Sequence, residues 1–134
     1  MISILKTPLN LTLVILLVTS CTIDSSDIIG TYKSPELRYY IDTLKIYKDG
    51  IYQRNLYSKS GELIFSQSES WSLDKSGRLH LDNLVIGFDK KVYTLKQLES
   101  RKMSVGIFPE KSEDKLILHY GDFEHDRYYF LKLD

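Results

Sequence analysis

The chain has 134 residues, the size of one compact domain that can build its own core. Its 18 basic and 18 acidic residues cancel, and no basic stripe or polybasic run occurs, so nucleic acid is not expected as a partner. The single cysteine excludes an intramolecular disulfide, so packing alone must hold the fold together.

The first residues have the composition of a secretory signal. Lys6 precedes an apolar stretch from Leu11 to Val18, and the small residues Thr19 and Ser20 follow it. This stretch is well short of the about 20 apolar residues that a transmembrane helix needs. We therefore predict that residues 1–20 are a signal peptide that is removed.

The end of this segment, Val18-Thr19-Ser20-Cys21, resembles the lipobox of bacterial lipoproteins. The resemblance implies cleavage before Cys21, a lipid on its sulfur and acylation of its new amino group, which together make a persistent membrane anchor. The alternative is an ordinary secretory signal with a chance cysteine. Thr22 follows, rather than the aspartate of an inner-membrane signal, so a lipid-anchored position on the outer membrane is expected.

We expect residues 21–27 to be a lipidated cysteine with a short polar tether, and residues 28–134 to be the folded domain. In the domain, apolar and polar residues mostly alternate, which predicts strands rather than helices. The segment from Val92 to Leu98 is read as a strand, with a helix within Tyr93–Lys102 as the alternative. The predicted strands are 28–33, 44–46, 51–57, 62–73, 79–88, 92–98, 103–108, 115–120 and 127–133.

The clearest predicted hairpin turns at Lys48-Asp49-Gly50, where an aspartate precedes a glycine between apolar runs. A three-residue loop there would place Tyr52 and Arg54 on the same face as Leu44 and Ile46. An inward Arg54 would need a partner or a wet cavity. The sequence does not fix the register, and we predict that Arg54 faces solvent.

About eight short strands with turns at close intervals predict an all-β domain, an antiparallel up-and-down meander or barrel. The order of its motifs looks like that of the small lipocalin-like lipoproteins of bacterial envelopes, which implies a small β-barrel with an apolar interior. These motifs are Ile29-Gly30-Thr31-Tyr32, Leu44-x-Ile46 with Asp49-Gly50-x-Tyr52, Trp71, Leu79-x-Leu81 and Tyr128-Tyr129-Phe130-Leu131-Lys132.

Few residue patterns indicate a catalytic or metal-binding site. Glu124-His125-Asp126, with His119 nearby, could supply ligands to a divalent ion, but a solvated turn is the expected structure because charged residues collect in turns. His80, between two leucines, is expected on the surface. The sequence has no GxSxG elbow and no phosphate-binding loop. We therefore predict no enzyme activity, no metal and no cofactor.

Two functional hypotheses follow from the membrane anchor and the ten tyrosines. The first is a non-enzymatic envelope binding module that holds a small apolar or amphipathic ligand in the barrel, with Tyr52, Arg54, Trp71 and Tyr93 as candidate ligand-binding residues. The second is a protein-interaction module of the envelope, such as an inhibitor, an immunity protein or an assembly accessory protein. A hollow interior favours the first hypothesis, and a close-packed interior favours the second.

Overall fold

The structure is a computed structural model and describes residues 22–120 and 128–134. Within these ranges, nine antiparallel strands form one curled half-barrel sheet, accompanied by two short helices. The predicted all-β meander is therefore confirmed. The predicted signal peptide, residues 1–20, and the predicted lipidation site, Cys21, lie outside the described residues.

Eight of the nine predicted strands overlap a strand of the structure, although the strand predicted at 44–46 begins at Tyr40 and the segment 92–98 forms no strand. Residue Ile28 belongs to a short helix rather than to the first strand, and an additional short strand, Glu110–Ser112, lies between the predicted strands 103–108 and 115–120. The helices are α1 (Ser25–Ile28) and α2 (Leu95–Glu99). The strands are β1 (Gly30–Ser34), β2 (Tyr40–Ile46), β3 (Ile51–Ser58), β4 (Leu63–Leu73), β5 (Leu79–Val85), β6 (Lys102–Ile107), β7 (Glu110–Ser112), β8 (Lys115–His119) and β9 (Tyr129–Lys132).

The strands from β1 to β6 lie side by side in chain order, and each pairs with the next. The first four connections between them are short, and the fifth, 86–101, is long. Strand β9 pairs with the free side of β1, and β8 and β7 extend the sheet beyond it. Strands β6 and β7 therefore stand at the two ends of the sheet, although only Phe108 and Pro109 separate them along the chain. This connection draws the two ends of the curled sheet toward each other.

The predicted β2–β3 hairpin has a three-residue loop. The Tyr47 N–H donates to the Ile51 carbonyl at 2.9 Å, and Gly50 takes a φ of 87°, which a residue without Cβ adopts at little cost. This loop pairs Leu44 with Arg54 across the two strands. The prediction that Arg54 faces solvent is wrong, because this register turns its side chain inward and leaves it 0% exposed.

The inner face of the curled sheet is filled with side chains. Alternate residues of each central strand are buried, as the burial of every second residue along β2 and β3 shows. Aliphatic and aromatic groups from most strands meet there in one continuous cluster. The largest fully buried side chains are Arg54, Tyr32, Tyr40, Tyr52, Phe88 and Phe130.

The antiparallel order gives the domain two distinct ends. The chain passes from Thr22 through α1 into the first residue of β1, and we call this end of the sheet the anchor end and the opposite end the distal end. The anchor end carries the connections 47–50, 74–78 and 113–114. The distal end carries the connections 35–39, 59–62 and 86–101.

The connection 86–101 contains α2, so the predicted strand from Val92 to Leu98 is wrong and the helical alternative is right. A capping box begins this helix. The Thr94 hydroxyl accepts from the Gln97 N–H at 3.2 Å, and the Gln97 side chain accepts from the Thr94 N–H at 2.9 Å. These two bonds satisfy backbone donors that a strand would have presented to a neighbour.

Candidate functional site

An ion pair lies at the centre of the domain. The Arg54 guanidinium forms two hydrogen bonds to the Asp42 carboxylate, at 2.9 Å from Nε and 2.8 Å from Nη2, and neither side chain is exposed. Such two-point contacts are the strongest geometry that an arginine makes with a carboxylate. Because Asp42 is in β2 and Arg54 is in β3, the pair joins two adjacent strands inside the curled sheet.

Three further groups complete this network. The Tyr120 hydroxyl donates to Asp42 Oδ2 at 2.8 Å, and Arg54 Nη1 donates to the Val85 carbonyl. The Gln67 side-chain oxygen lies 3.5 Å from Arg54 Nη1. Among the described residues, no buried side-chain nitrogen or oxygen lacks a partner, so the network leaves no polar atom aimed at an interior ligand.

Aromatic rings enclose the guanidinium on its other sides. The Arg54 carbon Cζ lies 4.7 Å from the centre of the Phe88 ring, 5.6 Å from Tyr120 and 5.9 Å from Phe130. Burial disfavours the charged guanidinium, but the Asp42 carboxylate outweighs this cost and holds the pKa of Arg54 above its ordinary value. Burial also raises the pKa of the Tyr120 phenol well above its ordinary value.

The four candidate ligand-binding residues do not form one site. Tyr52 and Arg54 are neighbours in the packed interior, where the Tyr52 hydroxyl donates to the Asp82 carbonyl at 2.5 Å. Trp71 is half-buried at the anchor end, where its indole N–H donates to the Tyr47 carbonyl at 2.8 Å. Tyr93 is buried at the distal end. The polar groups of Tyr52, Arg54 and Trp71 are thus engaged within the protein.

The connection 86–101 covers the distal end of the interior, and we call it the cap. Two residues of the cap, Phe88 and Leu98, have completely buried side chains. The Tyr93 ring centre is 5.3 Å from Lys91 Nζ and 4.4 Å from Arg101 Cζ, and the Tyr93 backbone N–H donates to the Tyr40 hydroxyl at 2.7 Å. The cap is therefore a packed part of the domain.

A second contact fixes the cap to the neighbouring connection at the distal end. The Asp89 carboxylate accepts from the backbone N–H groups of Arg38 and Tyr39, at 2.6 Å and 2.8 Å. Two backbone donors on one carboxylate hold the two connections in a fixed relation. The outer surface of the cap is accordingly presented on a rigid support.

That outer surface combines apolar side chains with lysines. Val92 is 66% exposed and Leu95 is 58% exposed, and Lys90, Lys91 and Lys96 are exposed beside them along the chain. We call these five residues the cap surface. Sequence analysis missed this surface because reading 92–98 as a strand placed these apolar residues in a sheet; the Thr94-x-x-Gln97 spacing is the signal that could have identified it.

No group of three or more His, Cys, Asp or Glu residues in the described ranges could hold a metal ion. The predicted turn Glu124-His125-Asp126 lies outside those ranges. His119 is exposed, with Nε2 3.3 Å from a Glu110 carboxylate oxygen. As predicted, His80 is on the surface, where its Nε2 lies 2.8 Å from an Asp74 carboxylate oxygen.

Comparison with protein families, with curated proteins and with solved structures found no match for this chain. A search of the described helices for one long and apolar enough to cross a membrane found none.

The central ion pair gives a prediction about stability. Replacing Asp42 by Asn leaves the buried guanidinium without a counter-charge, so we expect a loss of about 3–5 kcal/mol in the free energy of unfolding. The double variant Asp42→Leu, Arg54→Met removes both charges and should recover much of that loss. Urea unfolding of both variants measures the difference.

The matched control is the exposed pair between Lys102 and Glu99, whose N–O distance is 2.9 Å. Glu99→Gln should change the free energy of unfolding by no more than about 1 kcal/mol, because solvent screens exposed pairs. Equal effects of Asp42→Asn and Glu99→Gln would contradict the assigned role of the central pair.

The buried tyrosines give a prediction about alkaline pH. Burial raises the pKa of Tyr52 above its value in the unfolded chain, so folding favours the neutral phenol. This contribution is complete below the unfolded pKa of about 10 and is lost as the pH rises from there to the higher pKa of the folded state, at up to about 1.4 kcal/mol per pH unit. Tyr52→Phe should therefore reduce the alkaline slope of stability, whereas Tyr47→Phe, at an exposed tyrosine, should leave it unchanged.

Proposed function

We propose that this chain is a lipid-anchored, non-enzymatic protein of the cell envelope that binds a protein partner through the cap surface. The observation that carries the proposal is the pair of exposed apolar side chains, Val92 and Leu95, on a rigid support at the distal end. A contiguous apolar patch rimmed by polar residues marks an interaction site, and we propose that Val92 and Leu95 form the apolar centre of such a patch. The cap surface adds three lysines, which favours a partner with acidic residues around an apolar contact.

The packed interior favours a protein partner over a ligand held in the barrel. Tyr52 and Arg54, which would have lined a cavity, are fully buried and bonded to other groups of the domain. Phe88 and Leu98 of the cap fill the distal end above them. A ligand could enter only by displacing these side chains, which would leave a buried charge without its partners.

The positions of the two ends agree with this proposal. The tether enters at the anchor end, and the cap surface lies at the opposite end of the sheet. A lipid on Cys21 would hold the anchor end at the membrane and turn the cap surface toward the aqueous side. The partner is then either soluble or a membrane protein with an extended aqueous domain.

The partner contact is tested by photo-crosslinking in intact envelopes. A photoreactive amino acid at position 92 should give a defined adduct with one protein, whereas the same group at position 108 should not. Phe108 is the matched control because it is 62% exposed but lies at the other end of β6. Equal labelling from both positions, or none from position 92, would contradict the proposal.

Substitutions in the cap surface test the same contact independently. Val92→Ser with Leu95→Ser should weaken the adduct at least about ten-fold, because buried apolar anchors contribute most of the binding energy of an interface. The unfolding free energy should change by no more than about 0.5 kcal/mol, because both side chains are exposed. Lys90→Glu with Lys91→Glu should weaken an adduct with an acidic partner as well.

The anchor is tested by expression in a bacterium with two membranes. Cys21→Ala should give a protein without acyl chains, recovered in the soluble fraction and identified by mass. Thr22→Asp is the control, since it should keep the acyl chains and move the protein from the outer to the inner membrane. A Cys21→Ala protein that remains membrane-bound would refute the lipid anchor.

A further inference from the structure

A pocket at the anchor end has a composition unlike that of the cap surface. It encloses about 330 Å³ between α1, the β7–β8 hairpin and the end of β9. This volume lies within the range of small-molecule sites in proteins. Three lysines and three aspartates line it, together with apolar groups that include Ile23 and Leu133.

Three of these six charged side chains are engaged within the protein. Lys132 Nζ donates to the Asp27 carbonyl at 2.7 Å, and the Asp27 carboxylate accepts from the Asp24 N–H at 2.9 Å. The Asp134 carboxylate accepts from the Thr31 N–H at 3.3 Å. These bonds fix the inner wall of the pocket.

The other three charged groups are Lys111, Lys115 and Asp114, all on the β7–β8 hairpin and all exposed. In the described part of the chain, none of them has a side-chain hydrogen bond or an ion pair. Two free ammonium groups and one free carboxylate therefore share one pocket. This combination suits a zwitterion, with an anionic group on the lysines and a cationic group on the aspartate.

The tether limits how far this pocket can be from the membrane. Ile23 lines the pocket and lies two residues after Cys21, a span of at most about 7 Å. A lipid on Cys21 would therefore hold the mouth of the pocket within the headgroup layer. Leu133, which is exposed at the rim, can contact the acyl boundary there.

We propose that the anchor-end pocket binds the headgroup of a bilayer phospholipid that carries both a phosphate and a primary ammonium group, as phosphatidylethanolamine does. Lys111 and Lys115 contact the phosphate, and Asp114 accepts a hydrogen bond from the ammonium. The proposal rests on the proposed lipid anchor and adds that the domain is docked on the bilayer in one orientation. The cap surface is then held away from the membrane.

The test uses the full lipidated protein reconstituted in vesicles. Cys21 is the only cysteine, so after its lipidation a single introduced cysteine takes a fluorophore at one site. Ser112→Cys labels the hairpin beside the pocket, and Ser60→Cys labels the distal end. Quenching by a nitroxide on lipid headgroups is compared in vesicles of phosphatidylcholine alone, with phosphatidylethanolamine added, and with phosphatidylglycerol added.

The proposal requires strong quenching at position 112 and weak quenching at position 60, with the difference greatest when phosphatidylethanolamine is present. Lys111→Gln with Lys115→Gln should weaken this lipid dependence roughly two- to five-fold per lysine. The matched control, Lys48→Gln with Lys75→Gln, changes two anchor-end lysines outside the pocket and should have no effect. Free phosphoethanolamine should compete only at concentrations far above those of the vesicle lipid, because the tether raises the local lipid concentration.

Failure of the headgroup site and failure of the lipid anchor would give different results. Equal quenching at position 112 in all three vesicles, or unchanged lipid dependence in the Lys111, Lys115 variant, would show that no headgroup site exists while leaving the anchor intact. A protein that carries no acyl chains by mass and does not float with the vesicles would refute the lipid anchor, and the headgroup site with it.

Discussion

The buried pair between Arg54 and Asp42 is the interaction on which the rest of the domain depends. A guanidinium in an apolar interior is tolerated only when its charge and its donors are matched, and here one carboxylate and one carbonyl, from Val85, match most of them. Because a one-residue slip would turn Arg54 to the outer face, the pair specifies the register of β2 against β3. It therefore links the pairing of two strands to the filling of the interior.

The cap extends this network to the distal end. Phe88 belongs to the cap and also stacks over the Arg54 guanidinium, so the same ring closes the interior and covers the central charge. The Asp89 carboxylate, the next residue, binds two backbone N–H groups of the connection that precedes β2. The contacts of the adjacent residues Phe88 and Asp89 thus both close the interior and hold the cap surface in place. This is why a filled core and an exposed binding surface occur together in so small a domain.

Local patterns predicted most of the fold but not the contents of its interior. Alternation identified the strands, and the aspartate-glycine pair located the β2–β3 turn, because both are short-range signals. The inward position of Arg54 was missed because its partner, Asp42, lay outside the predicted strand 44–46. When no counter-charge is identified for an arginine, the expected position of its side chain is at the solvent-exposed surface. The cap helix was only the alternative because the short apolar segment from Val92 to Leu98 also suits a strand, whereas its Thr94–Gln97 capping box favours the helix.

The two ends of the domain have different chemistry, and this difference constrains where each can act. The anchor end carries lysines and aspartates in equal number around its pocket, which suits a zwitterionic surface and gives little attraction for a purely acidic one. The cap surface has three lysines beside two apolar side chains, and no acidic residue among the five. An acidic protein partner would therefore be attracted to the cap surface more than to the anchor-end pocket. With the proposed lipid on Cys21, the tether would enforce the same arrangement sterically, because it would hold the anchor end at the membrane and leave the distal end for the proposed partner.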